Sequence, residues 1–428
     1  MNKSELALFG GSPAITGPLT KYNPLGEEEV AAACRVIESG VLSQFIGAWD
    51  KDFYGGPNVR AFEEEAASYF RVKHAVTVNS WTSGLICAIG ALGIEPGDEV
   101  IVTPWTMAAT ATAILHWNAI PVFADIDPVT YNLSPRAIES QISPYTRAIV
   151  VADIFGQSAD MDEIMLIARK HDLKVVSDSA QSPGATYKDR YAGTIAHVGG
   201  YSLNYHKHIH TGEGGIIVTD DDEIVERLQL IRNHAEAVVS GKGVENITNM
   251  IGHNFRLGEI ECAIGREQLK KLRGQIVSRQ EIASILDAAL RDLPGLSTPV
   301  LGANRSHVYY GYAMRIDSRE TGVSRDRIFD ALLAEGVPVT RRYQNLHLLP
   351  LYQRKIAYGS TGFPWSSPIC KREVSYRKGI CPVAEHLNDF SFLGFGICSY
   401  NFDREDIKQV INGFYKVWSK LDSLASRT

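Results

Sequence analysis

Three groups of residues in this chain have the types and spacing to do chemistry together. Lys207 lies between the short apolar run Val198 to Ser202 and the glycine-rich turn Thr211-Gly212-Glu213-Gly214-Gly215, so its amine is offered from a constrained loop. Leu173 to Gln181 reads Leu-Lys-Val-Val-Ser-Asp-Ser-Ala-Gln, a buried parallel strand that delivers Asp178 at its carboxyl end, where open α/β sheets bind ligands. Ala75 to Asn79 is another apolar strand, followed by Ser80-Trp81-Thr82-Ser83-Gly84 and a helical run from Leu85 to Leu92. Hydroxyl residues at a helix N-terminus make a ready phosphate site. An amine for an aldehyde, hydroxyls and amides for a phosphate, and a carboxylate for a pyridine nitrogen are the three demands of pyridoxal 5'-phosphate chemistry. Lys207 is therefore expected to be a Schiff-base lysine. Asp178 is expected to keep the ring nitrogen protonated.

Each feature alone has a plainer reading. A lysine near a glycine turn is commonly solvated, an aspartate ending a strand is commonly a turn or cap residue, and Ser-x-Thr-Ser before a helix is commonly an N-cap. Their combination, in this order, carries the reading. His206, His208 and His210 alternate along an irregular segment with no fixed ligand geometry, so no metal site is expected.

The elements that must position these residues alternate along the chain. The apolar patterning predicts strands at 75–79, 99–103, 120–124, 147–152, 173–177, 198–202 and 215–219, with helices at 82–93, 107–117 and 160–171 between them. Continuous Val/Ile runs alternating with amphipathic helices indicate a mainly parallel sheet between helices, an α/β fold. Asp153 ends another such strand, with a turn role favoured over an approach to the cofactor. Helix 223–232 and a loop over 235–252 follow, and a long helix then runs towards Leu290. Beyond Pro294 the pattern changes to a smaller α+β region, with a strand at 308–316, a helix at 325–335 and a strand at 337–342. The predicted organisation is an irregular arm over 1–25, a large cofactor-binding domain over 26–270 and a small C-terminal domain over 271–428. Gly40 to Arg60 is rich in glycine and aromatic residues, the composition of an irregular loop that lines a site.

At 428 residues, 45% of them hydrophobic, the chain exceeds the size at which one core keeps growing, and two domains are expected. A net charge of -6 argues against a general nucleic-acid or membrane-surface binder. Cys34, Cys87, Cys262, Cys370, Cys381 and Cys398 show no CxxC spacing, as in a reduced cytoplasmic protein. The N-terminus does not read as a signal peptide, and no apolar run reaches the roughly 18 residues of a spanning helix.

The succession Ser80-Trp81-Thr82-Ser83, Gly97-Asp98-Glu99-Val100-Ile101-Val102, Asp178-Ser179-Ala180-Gln181, Ser202 to Lys207 with Thr211 to Gly215, and Asn254-Phe255-Arg256 resembles the DegT/StrS-type sugar aminotransferases over roughly residues 5 to 415. That resemblance implies the aspartate aminotransferase fold, fold type I of the pyridoxal-phosphate enzymes. It implies Lys207 as the cofactor lysine, Asp178 as the pyridinium partner and Gln181 beside the ring hydroxyl. Thr82, Ser83 and Ser202 fall on phosphate ligands, and Asn254 on a phosphate contact from a second subunit, hence a homodimer with shared sites. Where the family commonly has Ser-Gly-Thr, this chain has Ser80-Trp81-Thr82; where an aromatic residue stacks on the pyridine ring, it has Met107, with Trp105 two residues earlier. Members with histidine in place of the lysine dehydrate their sugar, and the register here puts Lys207 on the lysine position.

Arg341-Arg342-Tyr343-Gln344-Asn345-Leu346-His347 occupies the place of a His-Tyr-x-Pro-Leu-His type segment. Arg341, Arg342, Tyr343 and His347 are accordingly candidate substrate residues, a guanidinium pair being suited to carboxylate or phosphate. The resemblance implies glutamate or glutamine as amino donor. The acceptor it implies is a keto-sugar, nucleotide-linked by preference, in surface-polysaccharide or secondary-metabolite synthesis. Phe9-Gly10-Gly11-Ser12-Pro13 and the 40–60 loop lean towards a branch that aminates keto-cyclitols of the inosose type. The reading from another class is a non-catalytic, cofactor-binding regulator.

Overall fold

The computed structural model describes residues 5–426. In chain order the helices of its larger part are α1 (Glu27–Ser39), α2 (Pro57–Phe70), α3 (Trp81–Ala91), α4 (Ala109–His116), α5 (Pro135–Gln141), α6 (Met161–Lys170), α7 (Asp222–Arg232), α8 (Ala235–Lys242) and α9 (Glu259–Leu290). The strands are β1 (His74–Val78), β2 (Glu99–Val102), β3 (Ile120–Phe123), β4 (Thr146–Ala152), β5 (Lys174–Asp178), the short hairpin β6 (Thr186–Tyr187) and β7 (Arg190–Tyr191), then β8 (Val198–Ser202) and β9 (Gly215–Thr219).

Seven of these strands form one sheet in the order β1-β9-β8-β5-β4-β2-β3. β9 runs antiparallel to both neighbours, and the other pairings are parallel. Every residue of β2, β3, β8 and β9 is buried, which is why their sequences are mostly apolar or small rather than alternating; the exception, Glu99 of β2, is paired with Arg372 at 2.6 Å. Because β1, β4, β5 and β8 point the same way, the residues at their carboxyl ends meet along one edge. Those residues are Ser80 after β1, Asp153 after β4, Asp178 at the end of β5 and Ser202 at the end of β8.

A second, antiparallel sheet joins β10 (Leu296–Ser297), β11 (Tyr312–Ile316), β12 (Val339–Thr340) and β13 (Phe392–Phe395) in the order β10-β11-β13-β12. Ile328, Leu332, Val410 and Phe414, from helices Arg325–Ala334 and Arg404–Trp418, pack with it. α9 serves two cores. Its Cys262, Leu269, Leu272 and Ile276 join a cluster with α2 and β9, while Ala283, Leu286 and Leu290 join the small sheet's cluster. The helix passes position 270 without a break.

The N-terminal arm is pinned to the small region. The Glu335 carboxylate accepts from the amides of Ala7 and Ala14 at 2.8 and 2.9 Å, and Lys21 bridges Tyr400. Further along the arm, the Tyr22 hydroxyl donates to the His208 carbonyl at 2.5 Å, one residue from Lys207.

Five segments differ from their sequence patterns. The expected loop 235–252 contains α8, whose Ala235 and Val238 are buried and which Gly243 ends at φ 76°; burial outweighs the weak helix propensity of its Val and Gly. Of the expected strand 308–316 only Tyr312–Ile316 is strand, because Val308 donates its amide to Gly156 and joins the larger region. The strand expected over 337–342 shortens to Val339–Thr340, and Phe392–Phe395, with no expected strand, is central in the small sheet. The 40–60 segment holds a 3-10 turn, Lys51–Tyr54, with Trp49, Phe53 and Tyr54 packed edge to face. None of its residues lines the cavity at the carboxyl edge of the large sheet.

Candidate active site

A cavity of about 180 Å³ opens at the carboxyl edge of the large sheet, lined among others by Ser80, Trp81, Thr82, Met107, Thr110, Asp153, Asp178, Gln181, Ser202, His206 and Lys207. The N-terminus of α3 forms one end. Ser80 caps the helix, its hydroxyl accepting from the Ser83 amide at 3.1 Å, and the Ser83 hydroxyl donates to Asn79 Oδ1 at 2.7 Å. The remaining first-turn amides have no helical acceptor. Together with Thr82 and Ser202 they make a cradle for an anionic group.

The floor is a buried carboxylate. Asp178, 6% exposed, accepts from Trp81 Nε1 at 2.6 Å and the Ala180 amide at 3.2 Å on Oδ1, and from Thr110 Oγ1 at 2.6 Å on Oδ2. Asp153, beside it, accepts from the Ser179 and Ser177 hydroxyls and the Ala159 amide at 2.5, 3.0 and 2.8 Å. Burial pushes the Asp153 carboxyl up to about 6, against those hydrogen bonds and with help from the Asp178 charge. Gln181 is fixed at both ends: its Oε1 accepts from the Phe155 amide at 2.8 Å and its Nε2 donates to the Tyr343 hydroxyl at 3.0 Å. Phe155 holds the left-handed φ of 56° that aims this amide, a conformation that is strained for a side chain of its size.

Lys207 enters from the loop after β8. Its side chain is 7% exposed and its amine lies 4.3 Å from the centroid of the Tyr310 ring. Burial pushes the amine down to about 8, with Asp178 and then Cys398 opposing. More of it is then neutral, and so nucleophilic, near neutral pH than of an exposed lysine. The neighbouring histidines face different partners. His206 borders the cavity and is pushed down to about 4 by burial and the Lys207 charge; His208 Nε2 donates to the Val308 carbonyl at 2.7 Å; His210 Nδ1 accepts from the Gly212 amide at 3.2 Å.

The fold thus brings Lys207, Asp178, Gln181, Thr82, Ser202 and Met107 to one cavity, with Ser83 buried behind it in the α3 first turn. Met107 is 61% exposed on the wall. Trp105, the other stacking candidate, is fully buried among Tyr131, Phe155, Tyr343 and Phe392, outside the cavity. Asn254 is exposed and lies off this cavity, its Oδ1 accepting from Arg256 at 2.7 Å. Of the segment 341–347, Tyr343 alone approaches, bonded to Gln181 and lining an adjoining cavity with Tyr310, Phe155, His206 and Cys398.

The other three candidate substrate residues line neither of these cavities. Arg341 lies 3.5 Å from Asp330 and stacks on Phe329, and Arg342 lies 4.0 Å from Asp326, so both charges are turned to neighbouring carboxylates. His347 is fully buried, 2.8 Å from Glu385, and lines neither cavity. Sequence patterning could not separate them from Tyr343, because a short irregular segment gives no period from which to read a facing side. Thr110, Tyr310 and the Trp81–Asp178 bond were not anticipated. The one available signal was Trp81 itself, a large ring where a glycine is common.

A lysine amine, a buried carboxylate ending a parallel strand and a hydroxyl-bearing helix N-terminus, all at one sheet edge, define a pyridoxal-phosphate aminotransferase site. The donor set fits that cofactor: amine for aldehyde, carboxylate for ring nitrogen, hydroxyls and free amides for phosphate. Residues 45–383 match the DegT/DnrJ/EryC1/StrS aminotransferase family, and the chain belongs to it. It is 34% identical to the spore coat polysaccharide biosynthesis protein SpsC of Bacillus subtilis over 358 residues, covering 82% of this chain and 89% of that protein. It is 33% identical to a putative L-glutamine:3-amino-2,3-dideoxy-scyllo-inosose aminotransferase of Streptoalloteichus tenebrarius over 433 residues, 98% of this chain and 99% of that one. The aminotransferase structure from Psychrobacter cryohalolentis superposes with a TM-score of 0.80 at 28% identity, covering 95% of this chain and 100% of that one.

Proposed function

We propose that this enzyme transfers the amino group of glutamine or glutamate to the keto group of a polyhydroxylated ring, with a nucleotide-linked keto-sugar as the first reading. The carrying observation is Lys207, its amine buried in the same cavity as the hydrogen-bonded Asp178. A keto-cyclitol acceptor is the second reading. It is favoured by the near-complete match to the inosose aminotransferase, where the polysaccharide protein covers 82% of the chain. It is favoured also by the adjoining cavity, whose lining of Phe155, Tyr310, Tyr343, Phe392, Thr340 and Ser399 carries no Lys, Arg, Asp or Glu. A phosphate-linked acceptor would call for a cation there.

Bound pyridoxal phosphate supplies the electron sink that acidifies the carbon bearing the donor's amino group. Lys207 would hold the cofactor through its amine and, when that amine is free, would take up and return the proton of the reacting carbon in both half-reactions. Asp178 would meet the ring nitrogen and keep it protonated. Gln181, held by Phe155 and Tyr343, would orient the ring hydroxyl, while Thr82, Ser83 and Ser202 would anchor the phosphate and Met107 would cover the ring. Ping-pong kinetics should follow.

The same reading makes the enzyme a homodimer in which Asn254 reaches the partner's phosphate site. Its support is Asn254's exposure away from its own cavity and the exposed apolar side chains of Ile37, Leu42, Ile46, Trp49, Ile247 and Ile251. The small sheet's own cluster supports a small domain within 271–428, while Leu346, Tyr352, Val374, Tyr376 and Leu387 of that stretch join the core of the large sheet. Six unpaired cysteines support a cytoplasmic location.

The test is a coupled assay of the cofactor-loaded enzyme with glutamine and glutamate, each against a nucleotide-linked keto-sugar and a keto-inositol. Amination of neither, together with no spectral change on adding either donor, would refute the function. Conversion of the keto-inositol alone would select the second reading. A regulator would show the cofactor without any turnover.

A further inference from the structure

Trp81 occupies the position in the phosphate-helix turn where the family commonly has glycine, yet its indole does not face solvent. It is 5% exposed and lies over the sheet, where Gly200 and Gly84 leave it room. A Cβ on Gly200 would stand 2.2 Å from the indole, as well as 2.1 Å from the Ile216 carbonyl oxygen, and one on Gly84 would stand 2.6 Å from it. From that slot Nε1 reaches Asp178 Oδ1 at 2.6 Å.

Asp178 has no lysine or arginine within ion-pair distance among the described residues; its negative charge is met by the N–H groups of Trp81 and Ala180 and the hydroxyl of Thr110. A buried charge depends on such donors. Trp81 and Thr110 come from two different helices and grip the two oxygens separately, which fixes the plane of the carboxylate as well as its charge.

We infer that Trp81 is a positioning residue: its indole N–H orients Asp178, so that the carboxylate can face the ring nitrogen of pyridoxal phosphate. This rests on the assignment of Asp178 to that nitrogen. Losing a donor to the charged form makes protonation of the carboxyl easier. With Trp81→Phe the acid-side release of cofactor should therefore begin at higher pH.

The experiment measures pyridoxal phosphate binding to the full-length apoprotein by fluorescence or calorimetry across pH, for the parent, W81F, W81H, W117F and D178N. W81F should bind about tenfold more weakly at neutral pH, the scale of one lost hydrogen bond to a charged group. Its acid limb should move to higher pH, while Asp153, Lys207 and Tyr343, the other titratable groups that face Asp178, are common to every variant. W81H, which keeps a ring N–H, should recover part of that shift. W117F removes an equally buried indole bond, 2.8 Å to the Ile86 carbonyl, and should leave the acid limb in place, which a merely structural role for Trp81 would also do.

W81F with parental affinity and acid limb refutes the inference; D178N with parental affinity and acid limb instead refutes the Asp178 assignment beneath it. A second measurement needs no variant. In the 15N-labelled parent, one of the indole N–H resonances of the six tryptophans should lie downfield and move when pyridoxal phosphate is added, and six unmoved resonances would count against Trp81.

Discussion

The amine of Lys207 stands 4.3 Å from the centroid of the Tyr310 ring, and that ring forms part of the adjoining cavity. When the lysine is free and charged, the aromatic face offsets part of its desolvation. Tyr310→Leu removes the face and leaves the burial. The Lys207 amine should then titrate lower still, by an amount worth about 1 kcal/mol, read as the pH dependence of its modification rate in the apoprotein. An unchanged profile would show that the ring contributes nothing to the lysine.

Lys207→Ala should abolish transamination, by about a thousandfold or more, since both nucleophile and proton carrier are lost. The cofactor should remain bound without a covalent link, detected as pyridoxal phosphate that dialyses away more readily and is not trapped by borohydride. Residual turnover near the parent's would remove Lys207 from the chemistry.

Apoprotein stability should carry the signature of the same burial. The folded-state value of Lys207, about 8, lies below the ordinary 10.5, so between these values the unfolded chain binds more protons and stability rises with pH. Below about 8 the full cost of charging a buried amine is present. Lys207→Met should therefore stabilise the apoprotein by up to about 3 kcal/mol at neutral pH. The difference should shrink as pH rises towards 10.5, followed by urea unfolding at two pH values. An equal difference at both would mean that the amine is not desolvated in the fold.

A shared active site predicts complementation. Asn254→Ala and Lys207→Ala homodimers should each be impaired, while subunits mixed under conditions that exchange partners should regain activity, because a heterodimer contains one site with both residues. Mixed samples no more active than their components would argue that Asn254 serves no partner site.

His347 and the arginine pair separate structure from substrate recognition. His347 is fully buried beside Glu385, and burial pushes its ring below the usual histidine range. His347→Ala leaves a buried carboxylate short of a partner and should cost about 2 kcal/mol of stability. Arg341→Ala and Arg342→Ala should leave the acceptor KM unchanged, since both side chains turn to Asp330 and Asp326. A raised acceptor KM in either arginine variant would return it to the site.

The amino-acid sequence by itself determined the parallel sheet and the placing of Lys207 and Asp178. Continuous apolar runs such as Val100-Ile101-Val102 are compatible with burial on both faces, and Asp178 ends such a run. Those signals are local, carried by the order of neighbouring residues. The tertiary structure alone decided which side chains the site excludes and which it adds. Trp105 and Met107 are two residues apart, yet one enters the aromatic core and the other the cavity wall. Tyr343 reaches Gln181 while Arg341, Arg342 and His347 turn elsewhere. Trp81 meets Asp178 across 97 residues of chain because β1, followed by α3, and β5 end at the same sheet edge and Gly200 leaves space between them. Such contacts depend on the packing of distant segments, a relation that no short stretch of sequence encodes.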